Sequence, residues 1–218
     1  RVGHIEQVQT VPPHPPGRRP VQPAEDVHQG RFARAAGADD TEQLARFSLE
    51  DWIGQCIDHP NVVKGWPSPR QRRCLYLLQE YLEGETLAEW SRKNRRPPVQ
   101  TVTAFAAQII KGLRALHRRE ALHQDLKPDN IMLSSTDRHL RLIDFGIAKQ
   151  LDPKIGTQPI VKGMGTEAYA PLEQYGGAPT DARSDLYSLG GTLYFLLSGR
   201  EPAPAWKRGS KGENLLDL

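Results

Sequence analysis

Asp125, Lys127 and Asn130 stand within six residues of one another in the string L-H-Q-D-L-K-P-D-N-I-M-L, Leu122 to Leu133. An acid, a fixed cation and an amide this close can serve one reaction centre. Asp125 can act on the proton of a hydroxyl. Lys127 suits a phosphoryl group in transfer. Further along, L-I-D-F-G (Leu142–Gly146) supplies Asp144. Asn130 and Asp144 together offer the hard oxygen ligands that magnesium takes. Asp125 alone would be read equally well as a helix cap or a turn residue, but that reading does not explain the whole set.

The elements around these residues are written in apolar periodicity. Leu122 precedes the polar stretch and Ile131, Met132 and Leu133 follow it, so a buried element opens into a loop and closes into a strand. Asn130–Leu133 and Leu140–Ile143 flank S-S-T-D as the two arms of a hairpin, which brings Asn130 and Asp144 close together. Upstream, Val102, Phe105, Ile109, Leu113 and Leu116 recur at spacings of three and four, the mark of a helix with one buried face. That helix delivers the chain to the loop, and His117 at its end reads as a cap or packing residue. Cys74–Leu82 is a near-continuous apolar run and predicts a buried strand. E-G-E-T-L then turns at Gly84 into a short helix over Thr86–Ser91, and Arg92–Pro98 is a basic loop. Before these, a rough stripe of Leu44, Phe47, Leu49, Trp52 and Ile53 predicts a helix from Thr41 to near Ile57. Asp58–Val63, with its proline, ends that helix and starts a strand. Residues 1–30 show no helix or strand period. The P-P-H-P-P-G-R-R-P within Val11–Pro23 cannot sustain a helix or an inner strand and predicts a solvated, disordered leader.

Composition narrows the classes. The chain has 218 residues, 38% hydrophobic, with 18 prolines and a net charge of +3. Near charge balance gives no reason to expect a nucleic-acid partner. Two cysteines, Cys56 and Cys74, make neither a disulfide framework nor a metal set. They read as reduced thiols of a cytoplasmic protein. No apolar run approaches the ~18 residues of a membrane span, the longest being Leu193–Leu197. No secretory signal is present, and a start at Arg1 reads as a fragment.

The loop and L-I-D-F-G resemble the protein-kinase pattern H-R-D-L-x-x-x-N followed by D-F-G. A third piece supports the likeness: G-T-E-A-Y-A-P-L-E, Gly165–Glu173, resembles the end of the kinase activation segment, and R-S-D-L-Y-S-L-G-G resembles the helix beyond it. The resemblance covers roughly residues 41–202. It implies an α+β, bilobal protein-kinase-like fold, with an incomplete small lobe and a mostly helical large lobe. The implied domains are a leader over 1–40, a partial small lobe over 41–83, a large lobe over 84–202 and an irregular tail over 203–218. It also implies roles: Asp125 as base, Lys127 on the γ-phosphate, Asn130 and Asp144 on magnesium, Glu50 as the ion-pairing glutamate of the small-lobe helix. Glu80 and Leu82 would offer backbone groups to adenine beside a gatekeeper Gln79. Thr166 would pack against the aspartate, and Asp185 would hold the loop backbone. Asp125-x-Lys127 with Thr166 resembles serine/threonine specificity. The implied reaction is phosphoryl transfer from Mg-ATP to Ser or Thr of a protein, with ATP and Mg2+ as cofactors.

Three departures carry expectations of their own. Gln124 stands where the family has an arginine that pairs a phosphorylated activation segment, so activity is expected not to depend on phosphorylation there. No G-x-G-x-x-G loop and no V-A-I-K strand occur, and no lysine precedes Lys64; Arg31 and Arg34 are the cations close to the missing position. The arginine that ordinarily pairs the glutamate matched by Glu173 is missing too. A chain truncated at both ends explains these gaps. The alternative is a pseudokinase-like, non-catalytic interaction module, against which the intact Asp125, Lys127, Asn130 and Asp144 weigh. The strings L-A-R-F-S-L-E-D-W-I and G-W-P-S-P-R resemble bacterial kinases fused to a type 2C phosphatase, which makes a fused or partner phosphatase part of the expectation.

Overall fold

A computed structural model describes residues 8–11, 50–67, 75–145, 149–150, 166–176 and 178–208. In chain order the elements are β1 (Val8–Val11), α1 (50–56), β2 (Gly65–Trp66), β3 (Leu75–Gln79), β4 (Gly84–Thr86), α2 (Leu87–Lys93), α3 (Val99–His117) and β5 (Ala121–Leu122). A 3-10 turn (Pro128–Asn130), β6 (Ile131–Ser134), β7 (Leu140–Leu142), β8 (Lys149–Gln150), α4 (Leu172–Gly176), α5 (Ala182–Ser198) and α6 (Ala205–Arg208) follow. The mixture of helices with small antiparallel sheets is the α+β class expected. No helix among the described residues is long and apolar enough to cross a membrane.

The apolar stripe on α3 does what its period predicts. Val102, Phe105, Ile109, Leu113 and Leu116 are all buried, and α1, β6, β7 and α5 contribute Ile53, Ile131, Leu142 and Leu189 to the same core. Burying side chains of this size contributes roughly 1.5–3 kcal/mol each. Trp90 of α2 meets Phe105 edge-on, with ring centroids 4.9 Å apart. At Gly112 the helix passes so close to its neighbours that a Cβ would stand 2.7 Å from the Asn61 carbonyl oxygen and 2.9 Å from Leu142 Cδ1. α5 ends at Gly199, whose φ of 69° is the left-handed cap glycine adopts freely.

Three small sheets hang on this helical frame. β3 lies between β1 and β2, β6 lies between β4 and β7, and β5 pairs β8. The hairpin register sets Ile131 opposite Leu142 and Leu133 opposite Leu140.

Local structure differs from the sequence expectation at four places. Val8–Val11, within the expected leader, forms a strand antiparallel to β3, with Val8 opposite Leu78; the backbone of β3 supplies a pairing edge that no local period could reveal. Asp58–Val63 starts no strand: Val62 makes a single parallel bridge to Leu142, and the strand begins at Gly65. Asn61 explains this, because its carbonyl accepts the Leu142 N–H (3.0 Å) and its Nδ2 donates to the Leu140 carbonyl (2.8 Å). Gln108 of α3 completes the clasp by accepting from Asn61 Nδ2 (3.2 Å) and the Leu140 N–H (2.9 Å). Gly84 sits in a strand paired with β6 rather than in a turn. Thr86 caps α2 from outside it, in a capping box with Glu89, an arrangement that stabilises a helix start by about 1 kcal/mol.

Candidate active site

The loop between β5 and β6 is held from beneath by one carboxylate. Asp185, in the first turn of α5 and wholly buried, accepts the backbone N–H of His123 (3.0 Å) and of Gln124 (2.9 Å). Its Oδ2 also lies 2.7 Å from Nε2 of His117, the last residue of α3. Two backbone donors that burial would otherwise orphan are thereby satisfied. Gln124 itself has a φ of 65° and Asp144 a φ of 60°. Left-handed backbone at a side chain other than glycine costs on the order of 1–2 kcal/mol; of the four such residues described, the others being Glu120 and Arg138, these two lie at the two ends of the same site.

Above this floor the candidate side chains meet. Asp125 Oδ1 accepts from the Thr166 N–H (3.0 Å) and from the Thr166 hydroxyl (3.1 Å). Asp125 Oδ2 accepts from Asn130 Nδ2 (3.0 Å) and faces Lys127 Nζ at 3.0 Å. Lys127 Nζ donates to Thr166 Oγ1 at 2.7 Å. One hydroxyl oxygen is therefore held between the carboxylate and the ammonium. Asn130 Nδ2 also donates to the Asp125 carbonyl (2.9 Å), so the amide nitrogen is committed within the loop. The Ile143 N–H donates to the Asn130 carbonyl (3.1 Å), and Asp144 comes next in the chain, exposed.

His123 and Phe145 pack ring against ring in the interior, centroids 5.3 Å apart. Burial holds the imidazole pKa below its ordinary value, against the opposing pull of Asp185, Asp125 and Asp144. Neither ring nitrogen has a hydrogen-bond partner among the described residues. Its role is that of a neutral packing group.

The remaining candidates lie on other elements. Glu50 is buried at the start of the described part of α1. Glu80 follows β3: its N–H donates to the Lys64 carbonyl (2.8 Å), its Oε1 accepts the Lys64 N–H (3.1 Å), and Arg141 Nε lies 3.3 Å from the same oxygen. Arg141 in turn forks onto Asp137 at 3.2 and 2.7 Å, which lowers the Asp137 carboxyl well below the usual range. Leu82 packs half-buried against the core. Asp125, Lys127 and Asn130 are thus in direct contact, Asp144 is one residue from a bond to Asn130, and Glu80 and Leu82 belong to the connector between β3 and β4.

A sequence model of the protein kinase domain matches residues 33–217. The chain belongs to the protein kinase family. Among its curated relatives are serine/threonine-protein kinase pkn2 of Myxococcus xanthus, 36% identical over 180 residues (81% of this chain, 21% of that protein), and serine/threonine-protein kinase PknL of Mycobacterium bovis, 35% identical over 170 residues (78% and 42%). Serine/threonine-protein kinase PrkC of Bacillus subtilis is 32% identical over 165 residues (76% and 25%). The chain spans about a fifth to two fifths of the length of these relatives. The family match also begins before residue 41 and runs past residue 202, wider than the resemblance read from motifs.

In this kinase domain the Gln124 amide is turned inward. Its Nε2 donates to the buried Thr180 hydroxyl at 2.7 Å, and the backbone carbonyl of Gln124 accepts from Gln174 Nε2 at 2.8 Å. Glu173 accepts a hydrogen bond from Ser184 Oγ at 2.7 Å. Three contacts have no signal in a single sequence: His117 with Asp185, Gln124 with Thr180, and Arg141 with Glu80. Each partner lies far along the chain. Arg31, Arg34, Gly146, Thr157 and Gly165 lie outside the described residues.

Proposed function

We propose that this chain is the catalytic domain of a bacterial serine/threonine protein kinase, transferring the γ-phosphoryl group of Mg-ATP to a Ser or Thr hydroxyl of a protein. The observation that carries this reading is the Thr166 hydroxyl, which gives its proton toward Asp125 and takes a hydrogen bond from Lys127. A substrate alcohol needs the same two neighbours: a carboxylate to receive its proton and a cation to balance the incoming phosphoryl charge. Asp125 and Lys127 supply both.

The donor set fits the expected cofactors. With the amide nitrogen of Asn130 spent on Asp125, its oxygen is the atom left for a cation, and Asp144 adds hard carboxylate oxygens. Among the described residues no three His, Cys, Asp or Glu are grouped to hold a metal by themselves. Asn130 and Asp144 would share magnesium with phosphate oxygens, as that ion is ordinarily held. When bound, it neutralises charge on the phosphates. Glu80 and Leu82 would meet adenine through their backbone, and Glu50 would order the small lobe. Residues 41–83 and 84–202 would form the two lobes, working in the cytoplasm where ATP is available. The narrower likeness to phosphatase-fused kinases supports a type 2C phosphatase as fused or separate partner of the whole protein.

Transfer of labelled phosphate from Mg-ATP to a generic basic protein tests the reaction. Asp125→Asn should lower the rate about 10²–10⁴-fold. A second reading, a non-catalytic interaction module, is favoured by one observation: no lysine precedes Lys64. A Mg-ATP thermal shift separates the two, since absence of both shift and transfer would leave only the module.

A further inference from the structure

The backbone just before Asp125 is held from three directions. Gln124 is buried and left-handed, with a φ of 65°. Its N–H donates to Asp185 Oδ1 of α5 at 2.9 Å, and its side-chain Nε2 donates to Thr180 Oγ1 at 2.7 Å. Its backbone carbonyl accepts from Nε2 of Gln174, in α4, at 2.8 Å. A residue in a sparsely populated backbone region persists where its surroundings over-determine it. The first two bonds fix the peptide before Gln124 and its side chain. The third fixes the peptide after it, the one that carries Asp125. A peptide unit is planar, so holding the Gln124 carbonyl also holds the Asp125 nitrogen and aims its Cα.

The same segment holds Asp125 at its other end. The Thr166 N–H and hydroxyl donate to Asp125 Oδ1 at 3.0 and 3.1 Å. From Thr166 to Tyr175 the chain is folded on itself. The N–H groups of Tyr169 and Ala170 donate to the Thr166 carbonyl at 2.9 and 3.1 Å, and the Tyr175 hydroxyl donates to the Glu167 carbonyl at 2.8 Å. Two serines of α5 secure this unit. Ser188 Oγ donates to the Tyr169 carbonyl at 2.9 Å, and Ser184 Oγ donates to the Glu173 carboxylate at 2.7 Å.

A buried glutamine with a purely structural role would have both ends of its amide matched. Gln174 is buried, yet its Oε1 has no hydrogen-bond partner among the described residues. An orphaned buried acceptor weakens a fold, and such a group calls for an explanation other than stability. Packing would be served as well by an apolar side chain of the same length. What the amide adds is one donor, aimed at the Gln124 carbonyl.

We propose that Gln174 is a positioning residue for Asp125: its amide sets the Gln124–Asp125 peptide, so that docking of residues 166–176 on α5 brings the carboxylate into line. The inference rests on the kinase reading above, in which Asp125 is the group that receives the proton. Gln174 acts through the loop backbone.

Gln174→Met keeps the length and bulk of the side chain and removes the donor and the orphaned oxygen together. In the full chain, kcat for transfer from Mg-ATP to a generic basic protein should fall about tenfold or more, as misplacement of a reacting group does. KM for ATP should stay within about twofold of the parent. The melting temperature should rise or stay within about 3 °C. In the nucleotide-free chain, followed by NMR, the Asp125 amide resonance should shift while that of Ile109, in α3, stays in place. A kcat within about twofold of the parent at a temperature where the variant is folded, a KM for ATP raised by more than that, an unmoved Asp125 amide, or a variant with no folded state would each overturn the assignment. A parent chain that transfers no phosphate would overturn the kinase reading instead, and the Asp125 amide would still report whether Gln174 sets that peptide.

Discussion

Gln124 Nε2 donates to Thr180 Oγ1 at 2.7 Å, in the interior. The family's arginine position is therefore occupied by a buried side chain whose amide nitrogen donates into the fold. An amide carries no charge to offer a phosphorylated residue, and this one faces Thr180. Activity should be indifferent to phosphorylation of the segment. Thr157→Ala should keep its rate within about threefold of the parent, a free-energy difference under about 1 kcal/mol; abolished transfer would refute the idea. Thr180→Val strands the Gln124 donor and should cost about 1–3 kcal/mol in urea unfolding.

Asp185 should be worth more to the protein than any exposed carboxylate. It is wholly buried and accepts two loop N–H groups and His117. Asp185→Ala orphans all three and should lower stability by about 3 kcal/mol or more. At temperatures where the variant is folded, kcat should drop with it, because Asp125 follows the unsupported backbone. A variant of unchanged stability would count against the hydrogen-bond account.

Stability should fall on mild acidification. His123 is buried and held neutral, with its pKa below the ordinary value. In the unfolded chain the same imidazole takes up a proton near about pH 6.5. Below that pH the unfolded state binds more protons than the folded one, and each such group lowers stability by up to about 1.4 kcal/mol per pH unit. The loss stops once the folded imidazole also titrates. His59, depressed likewise, acts in the same direction. Chemical denaturation at about pH 7.5 and about pH 5.5 should show the loss, and His123→Gln should flatten it; an identical slope in the variant would reassign the effect.

Gly112→Ala sets two principles against each other. In a free helix alanine is favoured over glycine by about 1 kcal/mol. Here the added methyl would meet the Asn61 carbonyl at 2.7 Å and Leu142 Cδ1 at 2.9 Å. Overpacking of this kind costs about 1–3 kcal/mol, so the net change should be a lower melting temperature. A higher one would mean that Asn61 can withdraw at no cost.

The parts of this chain that could be read beforehand are those whose signal is local. The stripe on α3 is five residues at fixed spacing, and all five are buried. Asp125, Lys127 and Asn130 lie within one loop, so their proximity follows from chain length alone. What escaped has its cause elsewhere in the chain. His117 looks like an ordinary helix end until α5 brings Asp185 to it. Asp58–Val63 has strand-like residues, yet Asn61 finds its partners on β7 and α3, and those contacts displace the strand to Gly65. Val8–Val11 pairs only because β3 exposes an edge to it.

The clasp at Asn61 has a mechanical corollary. The C-terminal end of α1 leads directly into residues pinned to β7 and to Gln108, whereas Glu50 sits a full helix length away from that pin. Any rotation of α1 would have to pivot about a heel near Ile57–Val63, like a lever on a bolted fulcrum. In such a rotation the Glu50 end would describe the wide arc while the heel kept its register with the β6–β7 hairpin.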